Sequence, residues 1–197
     1  MCMGFQLHCC DELECLGFSH GTQAQNDTAG GLGTAWANTG NAADNNLATF
    51  ADVSMPYAAN SVSDWLTVYD MSLAMPTTTD TQTIRMRIFG QVTGGMTDEA
   101  QPGDTAGFWF NVGDDPGRPV ASKFFGFDQA LLDFGSVYDF STDGITILWN
   151  SNEKQLTGTE VNTTDFGGSL QFVKTGNGQP TVEISKVQVK VCYESVI

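Results

Sequence analysis

The stretch that decides the fold is Thr181-Val-Glu-Ile-Ser-Lys-Val-Gln-Val-Lys-Val-Cys-Tyr193, close to the C-terminus. In its second half, Val187, Val189 and Val191 alternate with lysine and glutamine. A repeat of two residues places successive side chains on opposite faces of a β-strand, so one face is buried and the other meets water. This stretch therefore predicts a long strand that completes a β-sandwich.

Upstream of this strand, apolar runs recur between turns rich in Gly, Pro, Asn and Asp. Many short strands separated in this way indicate a sandwich or a barrel. We predict an all-β, jelly-roll-like antiparallel β-sandwich, with one short helical insert at Phe127–Phe134. The predicted strands are Ala48–Val53, Asp64–Met71, Thr83–Thr93, Gly107–Val112, Ala121–Phe127, Ile145–Asn150, Ser169–Lys174 and Thr181–Tyr193.

The first 33 residues differ in composition from the rest of the chain. They contain four of the five cysteines and end in Gly30-Gly-Leu-Gly33, a flexible joint. Apolar spacing between residues 7 and 16 permits one short helix, and a strand or an irregular arm fits nearly as well. We predict an N-terminal arm over residues 1–33 and a β-sandwich domain over residues 34–197.

The chain is strongly acidic, with 8 Lys and Arg against 23 Asp and Glu and a net charge of -15. Its first basic residue is Arg85, and such a surface repels phosphate backbones and anionic lipids, so we expect no nucleic acid and no membrane as partners. No run approaches the roughly 20 apolar residues that span a bilayer. The N-terminus lacks a basic region, so we expect no signal peptide and synthesis in the cytoplasm.

A cluster of potential metal ligands lies near the N-terminus and comprises Cys2, His8, Cys9, Cys10, Cys15 and His20. Zinc sites usually contain two Cys-x-x-Cys-type pairs, which are absent here, so zinc is not expected. Packing as small apolar side chains, or contact at a subunit interface, is the favoured interpretation. A disulfide formed after release from the cell stays open, because spacing cannot identify the pair. Cys192 alternates away from the valine face and is expected to pack against a covering element.

Acidic loops raise the hypothesis of a structural calcium ion, because hard cations prefer carboxylate and carbonyl oxygens. The candidate ligands are Asp44, Asp98, Glu99 and Asp104. None of these loops has the spacing of an EF-hand, and Asx turns that satisfy their own backbone explain each loop without a metal. The primary prediction is therefore a protein without a cofactor.

Aromatic runs at residues 108–110 and 124–127 could supply rings that stack on sugars. One face of each run must be core, so most of these rings are structural. Trp65, Trp109 and Phe125 are the aromatic residues left for a surface role.

Catalytic motifs are missing from the chain. It contains no Gly-x-Ser-x-Gly, His-Glu-x-x-His, P-loop or dinucleotide fingerprint, and its histidines are His8 and His20, both in the arm. A glycosidase-like carboxylate pair stays open, since sequence gives no separation between carboxylates. We predict that the protein is not an enzyme.

Three pieces of the chain together resemble a module of tailed-bacteriophage virion proteins. The first piece is Ala35-Trp-Ala-Asn38 with Asn41-Ala-Ala-Asp-Asn-Asn-Leu-Ala-Thr49. The second runs from Ser63-Asp-Trp-Leu66 to Ile84-Arg-Met-Arg-Ile88. The third comprises Leu156-Thr-Gly-Thr-Glu-Val-Asn-Thr-Thr-Asp-Phe-Gly167 and the final strand. The likeness covers about 160 residues, from Thr34 to Tyr193.

The resemblance implies a jelly-roll structural protein of the virion, made in the host cytoplasm, such as a capsid decoration or cement protein, a head fibre or a tail component. It implies the major capsid protein or other virion proteins as partners, a homo-oligomer with a trimer favoured, and no catalytic residues. We predict a decoration protein on the outer head lattice, with first contacts by apolar arm residues: Phe5, Leu7, Leu13, Leu16 and Phe18. The alternative is a carbohydrate-binding or adhesin-like module of the head or tail surface, acting through Trp65, Trp109 and Phe125.

Overall fold

The computed structural model describes residues 13–28, 33–95, 104–113, 122–127 and 137–194. These residues form an all-β sandwich of two antiparallel sheets, as the alternation of apolar residues predicts. The seven-stranded sheet contains β1 (Leu13–Cys15), β2 (Ser19–His20), β4 (Ala51–Ser54), β7 (Thr81–Thr93), β10 (Tyr138–Asp139), β11 (Ile145–Asn150) and β13 (Thr181–Glu194). The six-stranded sheet contains β3 (Gln23–Asp27), β5 (Ser61–Val62), β6 (Trp65–Tyr69), β8 (Ala106–Gly113), β9 (Lys123–Gly126) and β12 (Gly167–Lys174).

Eight of these strands form a nested series of antiparallel pairs. β4 pairs with β13, β6 with β12, β7 with β11, and β8 with β9. Two further pairs, β7 with β13 and β8 with β12, join these strand pairs. Four of the eight strands therefore lie in each sheet, in the orders β4-β13-β7-β11 and β6-β12-β8-β9. Outer strands of the sequence thus enclose inner ones, which is the wrapping of a jelly roll, and the predicted fold is confirmed.

The long strands β7 and β13 form the centre of the seven-stranded sheet. Their register runs from Thr181 opposite Thr93 to Tyr193 opposite Thr81, with an irregularity between Ile184 and Lys186. Near that point a Cβ atom on Gly90 would lie 2.0 Å from the carbonyl oxygen of Glu183, so only glycine allows this close approach. An extra residue in one strand bends and twists the ribbon, which helps the sheet curve over the core.

The core lies between the sheets and is rich in aromatic rings. Phe108 of β8 and Phe172 of β12 are fully buried and meet edge to face, with ring centroids 5.4 Å apart. From the opposite sheet, Met86 and Trp149 are also fully buried. Burial of a large apolar side chain contributes about 1.5–3 kcal/mol, so this inter-sheet layer holds the sandwich together.

Residues 13–27 of the predicted arm belong to the sandwich. β1 and β2 pair with β13, whereas β3 pairs with β6, so this segment adds an edge to each sheet. The short helix allowed over residues 7–16 does not occur at Leu13–Cys15, which is a strand because its backbone completes the ladder of β13. Residues 1–12 lie outside the described residues. The predicted helix at Phe127–Phe134 also lies outside them, except for Phe127.

Two short helical turns connect the strands: a 3-10 turn at Thr39–Ala42 and helix α1 at Gly158–Val161. α1 begins with a capping box, in which the Thr157 hydroxyl accepts from the Glu160 backbone and the Glu160 carboxylate accepts from the Thr157 backbone. Neither turn approaches the length or apolarity that a membrane-crossing helix needs, within the part of the chain described.

Candidate functional site

An exposed aromatic pair lies on the outer face of the six-stranded sheet. Trp109 of β8 stands directly opposite Phe124 of β9, and their ring centroids are 5.0 Å apart. Their neighbours Phe108 and Phe110 point into the core, so alternation directs Trp109 outward. Trp109 is 38% exposed and Phe124 is 42% exposed, which leaves both rings accessible to a ligand.

Two glycines let the Phe124 ring lie close to the sheet. A Cβ atom on Gly107 would lie 2.9 Å from the tip of this ring, and one on Gly126 would lie 3.1 Å from its edge. Gly107 and Gly126 are paired in register across β8 and β9. The backbone therefore supports the ring from below, and the pair forms a fixed apolar platform. Planar apolar groups that present one free face are suited to stacking on the apolar face of a sugar ring.

The other two predicted ligand-binding residues lie in different settings. Trp65 is on the same outer face, two strands from Trp109, but it is only 7% exposed. Phe125 packs against the core and meets Phe127 edge to face at 5.7 Å. The prediction gave Phe125 a surface role, but the exposed ring beside Trp109 is Phe124. Alternation within Lys123–Gly126 places Phe124 and Phe125 on opposite faces of β9. The pairing of Phe124 with the outward-facing Trp109 identifies Phe124 as the outward ring.

The described contact residues of the predicted arm have different surroundings. Leu13 is 46% exposed on β1, whereas Leu16 packs partly against the core. The Phe18 ring lies over the guanidinium of Arg87, at 4.2 Å from the ring centroid. Phe5 and Leu7 lie outside the described residues. The three described arm residues thus differ in burial, since Leu13 is exposed whereas Leu16 and Phe18 are half-buried.

The proposed calcium ligands are not brought together in the described residues. Asp44 accepts hydrogen bonds from the backbone of Asn46 at 2.8 Å and from the hydroxyl of Thr49 at 2.7 Å, which forms an Asx turn. Asp98 and Glu99 lie outside the described residues, and Asp104 follows directly on that gap. No cluster of three or more His, Cys, Asp or Glu side chains suited to a metal occurs in the described ranges.

A disulfide joins Cys15 of β1 to Cys192 of β13. The two residues are direct partners in the antiparallel ladder, with their Cα atoms 4.0 Å apart. Of the interpretations that spacing left open, the structure therefore selects a disulfide for this pair. Cys192 is buried beside its partner strand β1 in the same sheet, and its packing against a covering element stays a prediction.

An ion pair fixes β9 against the opposite sheet. The Lys123 Nζ atom lies 2.6 Å from a carboxylate oxygen of Glu153, which follows β11, and 6.0 Å from the Trp149 ring centroid. The side-chain hydrogen bond from Lys123, together with a backbone bond from Asn150, lowers the pKa of Glu153. Lys123 therefore anchors the strand that carries Phe124.

The other shifted pKa values have causes within single turns or in burial. A hydrogen bond from the Ser141 side chain lowers the pKa of Asp139, and bonds from Thr157 lower the pKa of Glu160. Burial raises the pKa of Tyr193, with a smaller contribution from the nearby acid on β1. These shifts reflect turn and cap hydrogen bonds and the burial of Tyr193, and they do not identify a shared acid–base site.

Comparison with known proteins adds no relative, because the chain matches no protein-family model and no curated protein.

Proposed function

We propose that this chain is a non-enzymatic structural protein of a tailed-bacteriophage virion, and that it acts as a capsid decoration or cement protein. The observation that carries the proposal is the nested eight-strand jelly roll, an architecture common among viral capsid and lectin domains. This is an argument from fold, and it gains weight from the motif resemblance. The proposed partners are the major capsid protein or other virion proteins, with further copies of the chain in a trimer.

Residues of the resembling pieces support the proposal because their roles are architectural. The Trp36 indole N–H, in the first piece, donates to the backbone oxygen of Asp64, in the second piece, at 2.8 Å. Asn162, in the third piece, bonds both the backbone N–H and the backbone oxygen of Met75, at 2.8 and 2.7 Å. The shared pattern thus describes how loops are fastened to the sandwich, as expected for a module whose outer surface varies with its partner.

The disulfide and the charge also suit a place on the virion. Disulfides persist on virion and cell surfaces and are rare in the cytoplasm, so Cys15–Cys192 would form after assembly or release. A net charge of -15 keeps particles from adhering to each other or to anionic cells. Decoration proteins gain affinity through many weak, symmetric contacts, which a rigid sandwich can present without a deep cleft.

Counting the chain in purified virions tests the proposal. We expect quantitative mass spectrometry to find a copy number comparable with that of the major capsid protein. A much lower copy number would indicate a position in the tail or at a vertex. Absence from purified particles would contradict the proposal.

A deletion then separates the two halves of the predicted arm. Removing residues 1–12 keeps every described strand and Cys15, whereas removing residues 1–30 also removes β1, β2 and β3. If residues 1–12 make the first contact, the shorter deletion abolishes incorporation while circular dichroism stays unchanged. Normal incorporation of this variant would remove residues 1–12 from the contact.

The Trp109–Phe124 pair favours a second candidate function, binding of carbohydrate. Stacking contacts of one aromatic ring contribute about 0.5–1.5 kcal/mol beyond area burial, so Trp109→Ala would weaken sugar binding roughly 2- to 13-fold. Leu148→Ala is the matched control, because Leu148 is similarly exposed, at 37%, on the other sheet. A glycan array with calcium present measures both variants. Absence of any bound sugar on the array would reject this function and leave the decoration role standing.

A further inference from the structure

Basic residues are concentrated on one face of this acidic protein. Four of the eight Lys and Arg residues lie on the outer face of the paired strands β7 and β13, and we name them the cationic strip: Arg85, Arg87, Lys186 and Lys190. Their sequence neighbours, such as Ile88 and Val187, are fully buried and point into the core. Alternation therefore presents the four cations together on the side of the sheet that faces solvent.

The cations of the strip lie beside one another. Lys190 stands directly opposite Arg85 across the two strands. Like charges in this position destabilise a sheet, so the arrangement costs folding free energy. None of the four makes an ion pair in the ranges that the structure describes, although the chain carries 23 acidic residues. Arg87 donates a side-chain hydrogen bond to the hydroxyl of Thr146, at 3.3 Å. Such a group of unneutralised cations is complementary to an anionic ligand.

Two aromatic rings frame the cationic strip. Phe18, on the turn between β1 and β2, lies 4.2 Å from the Arg87 guanidinium and 5.9 Å from the Lys190 ammonium. Phe89 lies 5.9 Å from Arg87 and 5.6 Å from Lys186. Cation–π contacts stabilise these side chains and restrict their rotation, so a ligand would meet positive charges that are already positioned.

Acidic residues limit the length of the strip. Along β13, Glu183 lies three residues before Lys186 but on the same face, because the irregularity between Ile184 and Lys186 adds one residue to the strand. Glu194 lies four residues beyond Lys190. The interval from Lys186 to Lys190 spans about 13 Å at about 3.3 Å per residue. A continuous polyanion such as duplex DNA, with one charge per about 1.7 Å, would extend past the strip onto these carboxylates. A short anionic segment matches the strip better.

We propose that the cationic strip binds a short, extended acidic segment of a partner protein. Acidic side chains at alternate positions of an extended peptide recur about every 6.6 Å, the spacing between Arg85 and Arg87 along their strand. The guanidinium groups of Arg85 and Arg87 can each donate two parallel hydrogen bonds to one carboxylate. This inference does not depend on the virion role, since any acidic protein partner would satisfy it.

Nuclear magnetic resonance on the full 21.2 kDa chain tests the inference. The probe is a synthetic peptide of alternating glutamate and glycine. We expect it to shift the amide signals of β7 and β13 around the strip, and the shifts to weaken as salt shortens the Debye length from about 30 Å to about 8 Å. At about 0.2–1 kcal/mol for each exposed pair, the double variant Arg85→Gln/Lys190→Gln would weaken peptide binding roughly 2- to 30-fold.

Controls make each outcome decisive. Lys154→Gln removes a cation outside the strip and should leave peptide binding unchanged. The double variant should fold at least as stably as the original chain, because it relieves the repulsion between Arg85 and Lys190. Absence of shifts at the strip, or equal binding by the double variant, would overturn the inference. Tighter binding of a single-stranded oligonucleotide at the same signals would overturn it in favour of nucleic acid.

Discussion

Removal of the Cys15–Cys192 bond tests how the two ends of the chain are held together. The disulfide joins residues 177 positions apart, so it restricts almost the whole unfolded chain. Cys15 lies on the three-residue strand β1, and its bond to Cys192 is the one disulfide among the described residues. Cys15→Ala removes the bond at an exposed position and leaves Cys192 buried in place.

The expected loss follows from the entropy of loop closure. For a loop of this length the entropy lost by the unfolded chain is about 2.1 + 1.5R ln 177, or about 17.5 cal/mol/K, which corresponds to about 5 kcal/mol at 25 °C. Measured disulfides typically contribute about 2–4 kcal/mol. We therefore expect Cys15→Ala to lower the free energy of unfolding by about 2–5 kcal/mol, a large share of the stability of a single domain.

Equilibrium unfolding in urea measures this loss, and the dependence on urea should steepen because the unfolded chain without the bond exposes more surface. The double variant Cys15→Ala/Cys192→Ala should resemble the single variant, since both remove the same bond. Addition of a reductant should destabilise the original chain and leave the double variant unchanged. Equal midpoints for Cys15→Ala and the original chain, or a peptide map that pairs Cys15 with another cysteine, would refute the reasoning.

Three further predictions concern single contacts. Lys123→Met should destabilise the fold above pH 4.5, and the difference should become smaller as the pH falls through the lowered pKa of Glu153. The part that remains at low pH reflects the bond from Lys123 to the backbone oxygen of Leu148. Urea unfolding across acidic pH checks this, and a difference that does not change with pH would contradict it. Burial raises the pKa of Tyr193, so the contribution of its neutral form to folding stability is fully present below pH 10 and is lost as the pH rises further. Tyr193→Phe should therefore reduce the loss of melting temperature at alkaline pH. An unchanged dependence of melting temperature on pH would reject this role. Thr157→Ala should lower the free energy of unfolding by about 1 kcal/mol, because the capping box with Glu160 is lost. Thr157→Ser keeps a hydroxyl at this position and should lower it much less. Equal melting temperatures for the alanine variant and the original chain would contradict the cap.

The strands of the jelly roll could be predicted because each is marked by its own residues. All eight predicted strands overlap a strand of the nested series, from Ala51–Ser54 to Thr181–Glu194. Alternation and turn residues are local signals, so they can be recognised in the sequence without knowledge of the partner strand. The strands that were missed are short or polar, as in Gln23–Asp27, and exist because a neighbouring edge supplies their hydrogen bonds.

The candidate surfaces depended on register more than on composition. Sequence alone named Trp109 as an outward ring, but only the pairing of β8 with β9 shows that Phe124 lies beside it and that Phe125 packs inward. Likewise Phe18 was predicted as a contact residue because it is apolar, whereas the fold places it over Arg87.

The amino-acid sequence by itself determined the class of fold and the strongly acidic charge, because periodicity and composition belong to single segments of the chain. Tertiary structure alone decided which cysteines bond, which rings form the platform and which cations form the strip. Those groups come from residues up to 177 positions apart, and only the pairing of strands brings them within contact.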